Sequence, residues 1–297
     1  ICGTVSGAAF NTLTVNTSGS GTVTGGGLNC PGTCTAQAQG NVTLTATPTN
    51  GFTFLGWSGG GCSGTGTCTV NLTSGNQTVT ANFCTNSTVV TTNADSGAGS
   101  LRQIISDACP GSTITFSNST AGGATNFFDG SAHTITLTSG ELVIGKNLTI
   151  QGPGADRLTV DGNNATRIVL VNPGVTAELA DLTLARGNGN NGNSGGAVLN
   201  DAGTLTVRRA VVRDSTGSGG GGLATVSQSG RPATLRVIDS TVAGNRAQFG
   251  GGITNFWNSA ASVLEVVNST VGGNTATTLI GAGGVLTGGN TTTTITQ

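Results

Sequence analysis

The sequence predicts an all-β protein in two parts. A small disulfide-braced β domain occupies residues 1–84, and a right-handed parallel β-helix with three strands per coil occupies residues 85–297, opened by a short capping helix at about residues 100–109. Three observations predict it. Gly supplies 52 of the 297 residues, and Thr, Ser and Asn dominate the remainder, so strand and turn formers abound while helix formers are scarce. Residues 13–83 alternate apolar and polar side chains in short runs. Further on, "VIDSTVAGNRAQFGGGITN" (237–255) returns as "VVNSTVGGNTATTLIGAGGV" (266–285), so that Val237 is answered by Val266.

Composition bounds the function. A hydrophobic fraction of 35% is low for a thick globular core, and charged residues make up only 8% with a net charge of −1. That balance lacks the electrostatic footprint of a nucleic-acid or anionic-membrane partner, and no run of about 18 apolar residues predicts a membrane span. Opening on Ile1, without an initiator Met or a signal-peptide core, the chain reads as a processed or trimmed product.

All seven cysteines fall between Cys2 and Cys109, without the CxxC pairs of a zinc ribbon and with His133 as the single imidazole. Disulfides are expected, and with them an oxidising, extracytoplasmic setting. Cys30 and Cys34 flank "PGT", and Cys62 and Cys68 flank "SGTGT", so each pair would close a short loop. For the rest, Cys84 with Cys109 leaves Cys2 to reach another chain, whereas Cys2 with Cys84 leaves Cys109 free.

In the first part, Val42, Leu44 and Ala46 typify strands with one buried and one wet face. The phrase "LNCPGTC…VTLTATPTNGFTFLGWSGGGCSGTGTCTVNLTSGNQTVTANF" resembles the divergent InlB-type B-repeat modules of bacterial surface proteins, over nearly all of residues 10–84. The resemblance implies a spacer or adhesive unit rather than a catalyst. Phe52, Phe54 and Trp57 are candidates for a sugar-stacking platform, but most are expected in the core.

The second part opens with Ser100 followed three positions later by Gln103, a capping-box pattern. Leu101, Ile104, Ile105 and Ala108 then share one helical face before Pro110-Gly111 ends the helix. A helix ahead of a repeat array is what a cap looks like. The phrase "TNADSGAGSLRQIISDA…STITF…ITLTSGELVIGKNLTIQGPGADRLTVDGNN" is similar to the CSLREA-type segment that introduces parallel β-helices in bacterial extracellular proteins. Here Gly99 replaces the Cys, so of that signature only Ser-Leu-Arg matches.

The repeat sets the register. Leu205/Val207, Leu235/Val237, Leu264/Val266 and the weaker Thr293/Ile295 recur at nearly equal steps; Val212, Val242 and Val271 follow, then Leu223, Ile253 and Val285. These residues are expected to line the interior. At about 4.8 Å per coil, roughly seven coils would give a rod on the order of 35 Å long, with an interior one or two side chains wide. Gly221-Gly222, Gly250-Gly251-Gly252 and Gly283-Gly284 are expected to turn the chain with positive φ, and Asn245 and Asn274 to occupy left-handed positions and bond coil to coil. The "STVxGN…GGGI" words, over about residues 177–290, resemble repeats of autotransporter-like and polymorphic outer-membrane surface proteins, which implies a surface location and no activity.

No catalytic, cofactor-binding or metal-ligating residue is assigned. The runner-up reading is a carbohydrate-active β-helix enzyme, a polysaccharide lyase or hydrolase, which needs acids and a base clustered on one face. Its candidates are Asp156, Arg157, Asp161 and Arg167 early, and Arg208, Arg209, Arg213, Asp214, Arg236 and Asp239 later; a surface ion-pair ladder accounts for the later set more simply. His133 is expected in a solvated loop, and "GPGADR" in a turn. The Asn-X-Ser/Thr triplets, at Asn16, Asn41 and Asn71 among others, match what this composition yields by chance, and Thr rows such as "TITLT" read as ordinary outward strand residues. The chain reaches "TTTTITQ" within what should be the first strand of another coil, so head-to-tail self-association is expected, with other surface proteins or glycans as further partners.

Overall fold

The computed structural model describes residues 10–189, 194–257, 260–278, 281–288 and 291–296, with only the backbone of Trp257. Cys2, expected to bridge either Cys84 or another chain, lies outside them. The chain divides into two compact units: Ile1–Ser87 with Ser106–Cys109, and Thr88–Ile105 with Pro110–Gln297. The first therefore extends slightly past residue 84, because the strand Gln77–Thr85 carries it on.

The first unit holds two four-stranded sheets. One runs in the order Cys34–Ala38, Asn11–Ser18, Gln77–Thr85, Phe52–Gly59; the other Leu28–Cys30, Gly21–Gly25, Asn41–Pro48, Cys68–Asn71. Asn11–Ser18 and Gln77–Thr85 pair in parallel, with Val15 opposite Val79, and the other pairings are antiparallel. Alternation fills the core: Leu13, Val15, Val42, Leu44, Val70, Val79 and Ala81 are buried between more exposed neighbours, and Phe83 is buried next to the equally buried Cys84. Cys30–Cys34, Cys62–Cys68 and Cys84–Cys109 lie at disulfide distance.

The second unit is a β-solenoid of about seven turns. Its first ladder stacks Ser112–Phe116, Leu148–Gln151, Thr176–Ala180, Thr204–Arg208, Ala233–Ile238, Ser262–Val267 and Thr291–Thr296 in parallel. The second runs from His133–Thr136 to Thr270–Gly272, and the third from Leu142–Ile144 to Val285–Thr287. The inner columns fall where the repeat puts them: Leu205 opposite Leu235 opposite Leu264, Val212 opposite Val242 opposite Val271, Leu223 opposite Ile253 opposite Val285. Leu205, Leu223, Leu235, Val242, Ile253 and Leu264 are fully buried.

Three details differ from the sequence expectation. From the third coil a fourth short ladder intervenes, through Asn188–Gly189, Thr216–Gly219, Arg246–Phe249 and Thr275–Ala276, so the later coils carry four strands. These strands are rich in small residues and lack the alternation that announces the others. Of the glycines assigned positive φ, only Gly250 has it, at 60°. Gly221, Gly222, Gly251, Gly252 and Gly283 are glycine for want of space, unlike Gly284, whose Cβ would meet only Val271 Cγ1 at 4.0 Å: a Cβ on Gly251 would lie 2.6 Å from the carbonyl oxygen of Gly283 and from the backbone of Thr275 in the next coil.

Asn245 and Asn274 are not left-handed either. The left-handed residues precede them, Gly244 and Gly273, as Arg186 and Asp214 do in earlier coils. A second left-handed column, Asp181, Arg209, Asp239 and Asn268, follows the first ladder. The asparagines do bond coil to coil. Asn245 Nδ2 donates to the Val212 carbonyl at 3.0 Å, Asn245 Oδ1 accepts from the Ser215 amide at 3.0 Å, and Asn274 Nδ2 donates to the Val242 carbonyl at 2.8 Å.

The helix spans Leu101–Asp107, and the Gln103 amide donates to Ser100 Oγ at 3.2 Å, the cap that the sequence predicts. Leu101, Ile104, Ile105 and Ala108 are buried. Arg102 fastens the start of the helix to the first coil, donating to the carbonyls of Gly140 at 2.6 Å and Glu141 at 2.7 Å.

Candidate functional site

Arginine–carboxylate pairs link the coils of the solenoid. Arg186 engages Asp161 through both carboxylate oxygens, Arg208 pairs with Glu178, Arg209 grips Asp181, and Arg236 Nε lies 2.9 Å from Glu265 Oε2. Each pair joins neighbouring turns. The hydrogen bond from Arg209 lowers the Asp181 pKa against the opposing effect of burial, and the same bond raises that of Arg209. The ladder is thus real, but Arg236 pairs with Glu265 rather than with Asp239, which accepts from Asn268 Nδ2 at 2.7 Å. Arg213 pairs with its sequence neighbour Asp214. Asp156 and Arg157 lie in the turn that "GPGADR" forms.

His133 corrects its expectation. It opens a strand rather than sitting in a solvated loop, its Nε2 lies 3.0 Å from Asp129 Oδ1, and its ring meets Phe127 edge-on at 5.2 Å. Among the described residues, no three His, Cys, Asp or Glu side chains gather as a metal site, and no helix is long and apolar enough to cross a membrane.

A recess of about 430 Å³ lies on the flank of the early coils. Consecutive turns contribute Ser139, Gly140 and Glu141, then Ala165, Thr166 and Arg167, then Asn188 and Gly189. At its base Arg167 Nε lies 2.9 Å from Glu141 Oε2, with the Arg167 side chain 8% exposed and that of Glu141 27%. They meet because Leu142 and Val169 are in register, and the Leu142 amide donates to the Ile168 carbonyl at 2.9 Å. The close approach lacks hydrogen-bond alignment, so Nε–H and Oε2 both stay unsatisfied among the described residues. The sequence offers Arg167 but not Glu141, whose coil lies outside the clear repeat. It also misses Asp201, whose carboxyl pKa is raised by burial against the hydrogen bond from Gln228.

In the first unit Phe52, Phe54, Trp57 and Phe83 turn inward, whereas Phe10 is 66% exposed. Trp57 is 5% exposed and donates through Nε1 to the Gly66 carbonyl at 2.7 Å, while Phe54 meets Trp57 and Phe83 at 5.2 Å each. They form a core rather than a stacking platform. Two sheets closed around an aromatic core, with a bridged pair of cysteines beside the Gly56-Trp57-Ser58 strand, set the comparison with known proteins. Residues 11–87 match the family profile of the divergent InlB B-repeat domain. No curated protein and no solved structure matches the chain. The B-repeat-like unit and the disulfides together suggest an extracellular or surface protein, an organisation that the following β-solenoid fits.

Proposed function

We propose that the protein is a secreted structural or adhesive β-solenoid of a bacterial surface, extended along its coil axis by further parallel strands and needing neither catalysis nor cofactor. One observation carries the reading: a unit that matches the divergent InlB B-repeat profile and holds three cysteine pairs at disulfide distance is followed in the chain by a β-solenoid whose first ladder keeps its register from Ser112–Phe116 to Thr291–Thr296. A second copy of the chain stacked along the coil axis would give a heterologous contact that propagates.

The likeness of residues 92–171 to CSLREA-type segments and of about residues 177–290 to outer-membrane surface repeats supports a surface setting. Other surface proteins and glycans are the proposed partners, and nucleic acid and the bilayer interior are not. Negative-stain microscopy of the concentrated chain tests the fibre. Linear arrays that disappear in Ile295→Lys are expected; isolated particles at every concentration would overturn it.

A further inference from the structure

We infer that the folded chain resists endoproteases that cut after arginine or lysine, and that Pro232 bars such an enzyme from the one basic residue carried on a longer exposed stretch. The inference concerns a single folded chain and is independent of axial association. Residues 1–101 contain neither Arg nor Lys, so the chain offers eleven such bonds, all from Arg102 to Arg246. Seven of the eleven belong to arginines already engaged by a carboxylate, Arg186 by Asp161 and Arg236 by Glu265 among them. To be cut, a bond must leave its hydrogen bonds and enter the enzyme's groove as extended chain. The carbonyls of Arg157, Arg186 and Arg208 instead accept amides from the neighbouring coil, of His133 at 2.7 Å, Asn164 at 2.8 Å and Asp181 at 3.1 Å. Lifting any one of these bonds means parting two coils.

Arg231 is the exception. It closes a small hairpin between the third and first ladders, its amide donating to the Gln228 carbonyl at 2.9 Å across a turn in which Ser229 and Gly230 have φ of 52° and 74°. Ser229, Gly230, Arg231 and Pro232 form a run of four exposed residues, whereas every other basic residue lies in an exposed run of two at most. Here the sequence supplies what conformation does not, because the bond after Arg231 leads to proline. Proline has no amide hydrogen, and its Cδ crowds the backbone of the preceding residue, the one an enzyme must seat. Standing just ahead of the strand Ala233–Ile238, Pro232 removes no hydrogen bond from the ladder.

Timed trypsin digestion of the full, unreduced chain, read by reducing gel and mass spectrometry, tests this. Wild type should stay whole while folded and be cut throughout residues 102–246 once reduced and unfolded by heat. Pro232→Ala should be nicked at one bond, giving residues 1–231 and 232–297, about tenfold faster or more than wild type is lost. Adding Arg231→Gln should remove the nick, and circular dichroism melts matching wild type show that both variants are folded. Cleavage of folded wild type after any basic residue, or a folded Pro232→Ala no more sensitive than wild type, would each overturn the inference.

Discussion

Arg102 Nη2 lies 2.6 Å from Asp95 Oδ1, and the same carboxylate accepts from the amides of Thr138 at 3.0 Å and Ser139 at 2.8 Å. One arginine thereby joins the loop before the helix to the carbonyls of Gly140 and Glu141 in the first coil. In this run Ser100 caps the helix, Leu101 is buried, and Arg102 fastens the solenoid's entrance.

Asp95 makes that fastening pH-dependent. Burial alone would raise its pKa, but the hydrogen bonds from Arg102, Thr138 and Ser139 outweigh it and lower it from 3.8 to about 2. A depressed folded-state value stabilises above the unfolded one, so the contribution is complete above about pH 4 and disappears as pH falls toward 2. Allowing for solvent screening at the rim, it is worth about 1 kcal/mol. Urea unfolding of Asp95→Asn should show that loss near neutral pH and convergence with wild type near pH 2; parallel curves throughout would discount the carboxylate.

Adjacent residues test the interior. Val263 is 38% exposed and Leu264 is fully buried, as are Leu235 and Ile253 in the preceding coil. Leu264→Asp and Ile253→Asp bury a carboxylate without a partner and should cost at least about 4 kcal/mol or prevent folding, whereas Val263→Asp should change stability by about 0.5 kcal/mol. Circular dichroism melts separate these outcomes, and a soluble Ile253→Asp protein melting like wild type would refute the interior assignment.

What the sequence made legible follows from which interactions repeat. Leu235 and Leu264 are readable because both fill the same narrow interior one repeat apart, and apolar size is visible in the letters. Glu141 is not readable: the first-ladder strands opening the first two coils start at Ser112 and Leu148, a wider step than the later coils take, so its meeting with Arg167 depends on loop lengths that no period reveals. The fourth ladder is hidden for another reason. In Thr216–Gly219 hydrogen bonds to neighbouring coils define the strand, and its side chains are too small to mark a face.

Asn245 is buried at 1% exposure and completes bonds above and below its own coil. Its side chain donates to the Val212 and Ala243 carbonyls and accepts from Ser215, while its amide donates to Asn274 Oδ1 at 2.9 Å. Asn245→Ala strands a buried amide and two carbonyls, so a loss of about 2–4 kcal/mol is expected in chemical denaturation. Asn118→Ala, at an exposed position, is the control that should leave the midpoint unchanged.

Gly251 separates the two reasons for a glycine. Its φ is not in the left-handed region, so an alanine there meets no conformational penalty; it meets the Gly283 carbonyl and the Thr275 backbone, both 2.6 Å from the added carbon. The backbone of the next coil cannot retreat as a side-chain tip would, and the two coils would have to separate locally. Gly251→Ala should therefore cost about 2–3 kcal/mol. Gly32, also without positive φ but with nothing within 4 Å of its added carbon, should accept alanine with no loss or a gain of a few tenths of a kcal/mol from a stiffer unfolded chain. Equal melting temperatures for the two variants would mean that coil contact at the glycine turn is looser than the structure has it, and would return the turn to an explanation from backbone conformation.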